Sequence, residues 1–154
     1  MSKTIANNEA NQSHSYRPLA LNAPKQRQGG YFEQHACQFL QQQGLILIAQ
    51  NWQQPKVGEL DLVMLECGQA WSTLIFIEVR QRVRSDFCDA ALSITPAKQR
   101  KIIKTAHYFL QQYPEYANDE CRFDVIAYNT QPAKHLKADC QPDWIKGAFI
   151  ASAW

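Results

Sequence analysis

Gly58-Glu59-Leu60-Asp61-Leu62-Val63, followed by Ile75-Phe76-Ile77-Glu78-Val79-Arg80, sets carboxylates into two otherwise apolar, strand-like runs. A carboxylate in apolar surroundings is costly unless a cation or hydrogen bonds compensate it. Asp61 and Glu78 therefore require a partner, and a hard divalent metal ion is the most economical one. Alternate side chains of a strand share a face. Glu59, Asp61 and Val63 then point one way and Leu60, Leu62 and Met64 the other, while Glu78 and Arg80 share a face opposite Ile77 and Val79. The turn between the runs is centred between Gly68 and Ala70. A symmetric hairpin about that centre sets Asp61 opposite Glu78 and Glu59 opposite Arg80, with Cβ atoms about 4.5–5.5 Å apart. Two like charges so placed repel, and a divalent cation between them reverses the sign. Magnesium favours one or two carboxylates together with waters and phosphate oxygens, a ligand set suited to phosphodiester cleavage. The same residues also suit the solvent face of an amphipathic hairpin, with Glu59 and Arg80 as a surface ion pair.

Outward from this hairpin, Phe32, Ala36, Phe39 and Leu40 recur at helical spacing over 31–43, and Gly44 follows as a C-terminal stop. Residues 45–49 read as a short aliphatic strand, 58–65 and 73–80 as the hairpin, and 82–94 as a long loop. Thr95-Pro96 is a helix start, and the helix over 96–112 buries Ile102, Ile103, Ala106, Phe109 and Leu110. A fourth strand spans 122–128, and Trp144, Ile145, Ala148 and Phe149 pack back on the core. Three sequential strands form a meander, and the second helix crosses over to a fourth strand on the same sheet.

Residues 1–28 are rich in Asn, Gln, Ser and Pro without an apolar period, which predicts a mobile tail ahead of one domain over 29–154. The 154 residues, 45% hydrophobic and 11% aromatic, suffice for a single core. No apolar run approaches the roughly 20 residues of a membrane span, and the N-terminus lacks a secretion-signal layout, which predicts a cytoplasmic protein without a membrane partner. Five scattered cysteines (37, 67, 88, 121 and 140) contain no CxxC pair, so neither a zinc site nor a disulfide framework is expected. The net charge of +2 is small. Its distribution is local: Arg80, Arg82 and Arg84 follow one strand, and Lys98, Arg100, Lys101 and Lys104 crowd one helix. Lys98 and Lys101 share a helical face as phosphate contacts would, although a solvated face produces the same run. Tyr31, Phe32, Trp52 and Trp71 are candidates for base stacking or core packing, with Trp71 at the hairpin tip the most exposed.

Residues 58–63 and 76–82 resemble the "GEIDLI…FVEVKxR" core of the YraN-like family of small bacterial proteins. Further agreement lies at Gly30 and Glu33 with Ala36 and Leu40, Asn51-Trp52, Lys98 with Ala106, Arg122-Phe123-Asp124, and Trp144-Ile145 with Ala148-Phe149. The family is similar to the restriction-endonuclease-like, PD-(D/E)xK superfamily, especially its Holliday-junction resolvase branch. The resemblance implies an α/β fold with an αβββαβ core, a mixed sheet flanked by helices, and a Mg²⁺ or Mn²⁺ site held by Asp61 and Glu78. It also implies Glu33 as an additional acidic residue. Glu59 is either a third ligand or the partner of Arg80. The implied activity is an endonuclease acting on DNA, branched DNA included, with a homodimer following by analogy with resolvases. The motif lysine is replaced by Arg80, Gln53 stands where the family has arginine, and 86–90 lacks a glycine. Arginine keeps the charge but cannot act as a base near neutral pH. A catalytically silent module that binds nucleic acid or protein is therefore the second expectation.

Overall fold

The computed structural model describes residues 30–83, 94–130 and 141–151. The 1–28 segment, Arg84 and the 86–90 stretch lie outside them. The order is α1 (Tyr31–Gln42), β1 (Ile46–Gln54), β2 (Gly58–Cys67), β3 (Ser72–Val83), α2 (Pro96–Gln112), a short 3₁₀ helix (Pro114–Tyr116), β4 (Glu120–Thr130) and β5 (Asp143–Phe149). The strands form one mixed sheet in the order β1-β2-β3-β4-β5. Only β3 and β4 run parallel, because α2 carries the chain back before β4 begins. This is an α/β fold consistent with a restriction-endonuclease-like core, extended by a fifth strand.

The helices cover opposite faces of the sheet. Ala36, Cys37 and Leu40 of α1 pack on Leu62, Met64, Ile75, Ile77 and Ile126. Ile102, Ala106 and Phe109 of α2 pack on Val63, Leu65, Phe76, Phe123 and Val125. Successive residues of the central strands thus enter different cores, and each sheet face is buried, as a layered α/β domain requires. On the α1 side the Tyr128 hydroxyl lies 2.7 Å from Nδ1 of His35. No helix among the described residues is long and apolar enough to cross a membrane.

Both helices end where local chemistry dictates. The Thr95 hydroxyl accepts the Lys98 N–H at 3.2 Å, with Pro96 opening the first turn. At the end of α1, Gly44 donates to the Gln41 carbonyl at 3.0 Å and Leu45 to the Leu40 carbonyl at 3.1 Å, a Schellman closure. It needs a φ of 92° at Gly44, a region that a β-carbon disfavours. Gly44→Ala is therefore expected to lower the unfolding free energy by about 1 kcal/mol, measured by urea denaturation.

Several strands outrun their sequence signals. β1 continues past residue 49 to Gln54 because its polar half pairs with β2 from Gln50↔Leu62 to Gln54↔Gly58. A bulge between Leu47 and Ala49 and a φ of 51° at Asn51 break its alternation. β3 reaches Val83 because β4 pairs with it to Thr130. The C-terminal residues expected only to pack on the core form β5, antiparallel to β4.

A buried carboxylate knots β4 to β5. Asp124, with no exposed surface, accepts Nε and Nη2 of Arg122 at 2.9 and 3.0 Å, Trp144 Nε1 at 3.0 Å and the Gly147 N–H at 2.9 Å. Arg122 Nη1 also reaches Glu66 on β2 at 2.8 Å. The alternate-face pair of Arg122 and Asp124 is thus a structural ion pair. Cys37, Cys67 and Cys121 are free thiols, with 88 and 140 outside the described residues.

Candidate functional site

The hairpin register expected from its sequence symmetry holds from Cys67↔Ser72 to Leu62↔Ile77. There the two central strands part. β2 stays with β1 down to Gly58↔Gln54, while β3 stays with β4 up to Val83↔Thr130. Asp61 and Glu78, the next residues on each side, stand at the mouth of this fork. The Asp61 carboxylate takes the place of the missing rung: its Oδ2 accepts the Val79 N–H at 2.8 Å. Leu60 belongs to the α2-side core and Leu62 to the α1-side core. Strict alternation through 60, 62 and 64 therefore fails at Asp61, because the strand twists as it leaves its neighbour.

Glu78 is not on a solvent face. It is 6% exposed, and its Oε1 lies 3.2 Å from the Lys98 ammonium and 3.6 Å from Arg80 Nη1. Burial first, and then the neighbouring Glu78, push the Asp61 carboxyl up to about 7; the Val79 N–H and Lys98 offset this in part, and Glu33 adds to it. Burial also holds Glu33 above its ordinary value, against a hydrogen bond from Asn51, with Glu59 and Glu78 contributing repulsion. Four carboxylates thus feel one another around the fork. Glu33 comes from the first turn of α1, and Glu59 from β2, where its strand partner is Gln53.

Among the described residues, no three His, Cys, Asp or Glu side chains converge as a ready-made metal cage. Two carboxylates remain as the close donor set. All-oxygen donors in that number fit a hard cation such as Mg²⁺ or Mn²⁺, which completes its shell with waters and phosphate oxygens. The charge balance fits as well, since Asp61, buried beside Glu78, is the carboxylate that gains most from a divalent ion.

Of the cations singled out from sequence, Lys98 reaches across the fork to Glu78 rather than lining an outer row. Lys101 and Lys104 stay exposed on α2. The Lys101 stem runs past Gly58, where a β-carbon would come within 2.5 Å of Thr105 Oγ1 and 3.2 Å of Lys101 Cε. Glycine at the head of the acidic strand is what lets α2 approach the fork. Arg82 lies on β3 opposite Asn129, its side chain outside the described residues. Trp52 is core, edge-on to Phe109. Tyr31 and Trp71 are exposed, Trp71 at the hairpin tip.

Asn51 is the site residue that the strand patterns did not single out. Its left-handed backbone, tolerated by asparagine, accompanies the hydrogen bond between its side chain and Glu33. The available signal was the Asn51-Trp52 pair in the family resemblance, just past the strand read over 45–49.

The sequence pattern of uncharacterised protein family UPF0102, the YraN-like group, matches residues 32–128. A UPF0102 protein of Psychrobacter arcticus is 65% identical, over 90% of this chain and 88% of its own length. One from Pseudomonas savastanoi pv. phaseolicola is 46% identical, over 81% and 94%. One from Coxiella burnetii is 42% identical, over 80% and 92%.

Proposed function

Because the chain belongs to the uncharacterised protein family UPF0102, whose matched span carries all four carboxylates of the pocket, we propose that it is a Mg²⁺- or Mn²⁺-dependent endonuclease acting on DNA. The observation that carries this is the fork between β2 and β3, where the buried Asp61 carboxyl stands against the charge of Glu78. Asp61 and Glu78 hold the cation, which when bound polarises phosphate and lowers the pKa of water. Arg80 and Lys98 face the same pocket and balance the charge of a phosphodiester. Glu33, hydrogen-bonded to Asn51, and Glu59 complete the acidic wall beside the two ligands. Hydrolysis adds the oxygen of that water to phosphorus and releases one nucleoside oxygen, which leaves protonated. The exposed Arg100, Lys101 and Lys104 of α2 form the rim for the backbone. On a branched substrate a homodimer brings two such pockets to one junction.

The test is cleavage of branched, single-stranded and duplex DNA with Mg²⁺, Mn²⁺ or EDTA. Metal-dependent cleavage that falls by about 10³-fold or more in Asp61→Ala is the expected result. One observation favours a second reading, a silent nucleic-acid-binding module: Arg80 stands in for the motif lysine. That reading predicts no cleavage with any metal, and DNA binding equal or stronger in Asp61→Ala, where a negative charge is gone.

A further inference from the structure

We propose that Lys98, delivered from α2, is the ammonium of this site: it neutralises Glu78 in the metal-free protein, cedes that oxygen to a divalent cation, and turns to the phosphate. This rests on the metal-dependent reading above and assigns the work of the missing motif lysine to a different element.

Position 80 carries an arginine whose Nη1 stands 3.6 Å from Glu78 Oε1, whereas Lys98 Nζ stands 3.2 Å from the same oxygen. Lys98 is the nearer cation to that oxygen, and its charge also reaches Asp61. Its location is otherwise unfavourable. Lys98 lies in the first turn of a 17-residue helix, at the positive end of the macrodipole, in a turn with no acidic residue. A cation there gains little from its own helix and is retained by what it faces across the fork. The approach is built: Gly58 lets α2 close on β2, and the Thr95 cap fixes the Lys98 backbone N–H.

The chemistry suits exchange. An ammonium is a compact charge on a flexible stem with three rotatable donors, whereas a guanidinium is a rigid fork. The Lys98 side chain is 37% exposed although Glu78 is 6% exposed, so one end of the pair can swing to solvent while the other stays fixed. A divalent cation and an ammonium on one carboxylate oxygen exclude each other, by charge and by space. A phosphate brought to the pocket offers the displaced ammonium a new anion at short range.

Mn²⁺ is titrated calorimetrically into wild type, Lys98→Met and Arg80→Met without nucleic acid. In parallel, thermal unfolding in EDTA at pH 8 compares Lys98→Met in the wild-type and Glu78→Gln backgrounds. Removing the competing ammonium is expected to tighten Mn²⁺ binding about five- to tenfold, with a smaller gain for Arg80→Met. Lys98→Met lowers the metal-free Tm by about 3 °C, and the loss disappears on Glu78→Gln. At saturating Mn²⁺ it slows cleavage by about 100-fold. Equal or weaker Mn²⁺ binding by Lys98→Met overturns the proposal, as does a Tm loss that persists on Glu78→Gln. If neither protein binds Mn²⁺ while the Tm coupling remains, the metal-dependent function itself fails. Lys98 and Glu78 are then a structural pair, and the displacement is refuted with it.

Discussion

Asp61→Asn is expected to make the metal-free protein more stable at pH 8 while abolishing its response to divalent metal. An unfolded aspartate titrates near 3.8, but in the fold burial and Glu78 push Asp61 up to about 7. Between those values the folded state keeps a proton that the unfolded state has lost. Asp61 therefore weakens the fold progressively as pH rises from about 4 to about 7, and the whole cost persists above that range. The loss is on the order of 2 kcal/mol after allowance for its partly wetted setting. Asparagine accepts the Val79 N–H in the same way and carries no charge, so the variant escapes this loss. Urea denaturation in EDTA at pH 5 and pH 8 measures it: the wild type drops between the two, and Asp61→Asn stays nearly level apart from other groups. Addition of Mn²⁺ at a hundred times its Kd then stabilises the wild type by about 2.7 kcal/mol and leaves the variant unchanged. Equal pH slopes in the two proteins would remove Asp61 as the strained group. A residue that costs stability where it stands, and is repaid by a ligand, marks a site shaped for that ligand.

The second large effect is expected far from the fork. Asp124→Ala removes the acceptor of four hydrogen bonds at a position with no exposed surface, and strands the Arg122 guanidinium, the Trp144 N–H and the Gly147 N–H. Breaking a buried pair by deleting one partner costs about 3–5 kcal/mol, which in a chain of this size lowers Tm by about 10 °C or more. β5 loosens first, because the β4–β5 register shifts between Phe123 and Val125, where Asp124 ties it to Gly147. Hydrogen exchange of Ile145 and Phe149 amides should rise before that of β2 or β3. Glu66→Ala, which touches the same arginine from a half-exposed position, should cost about 1 kcal/mol or less. A comparable loss in both variants would show that the carboxylate at Asp124 is not the knot.

The two carboxylates matter in opposite ways, and their sequence contexts explain how far each could be read. Asp124 stands two residues from Arg122, a spacing that sets both side chains on one face of the strand and is enough to bring the carboxylate to its cation. Asp61 and Glu78 were legible as a pair because a hairpin symmetric about the midpoint of residues 69 and 70 places them together, and the pairs from Cys67↔Ser72 to Leu62↔Ile77 follow that symmetry. What symmetry could not show was that the ladder stops one rung short of them. A strand has no local signal for divergence; it is set by β1 holding one strand and β4 the other.

Sequence by itself determined the order of helices and strands from α1 to β4, the start of α2 at Thr95-Pro96, the stop of α1 at Gly44, and the identity of the acidic pair. These rest on caps, turns and periodicity, which act over a few residues and survive any tertiary context. Tertiary structure alone decided the length of β1 and the existence of β5, because polar or short segments become strands only when a neighbour satisfies their backbone. It also decided that Lys98 faces Glu78 and that Asn51 braces Glu33. Those partners are 20 and 18 residues apart in the chain, with no shared period between them. Only the packing of both helices onto one forked sheet brings them within reach.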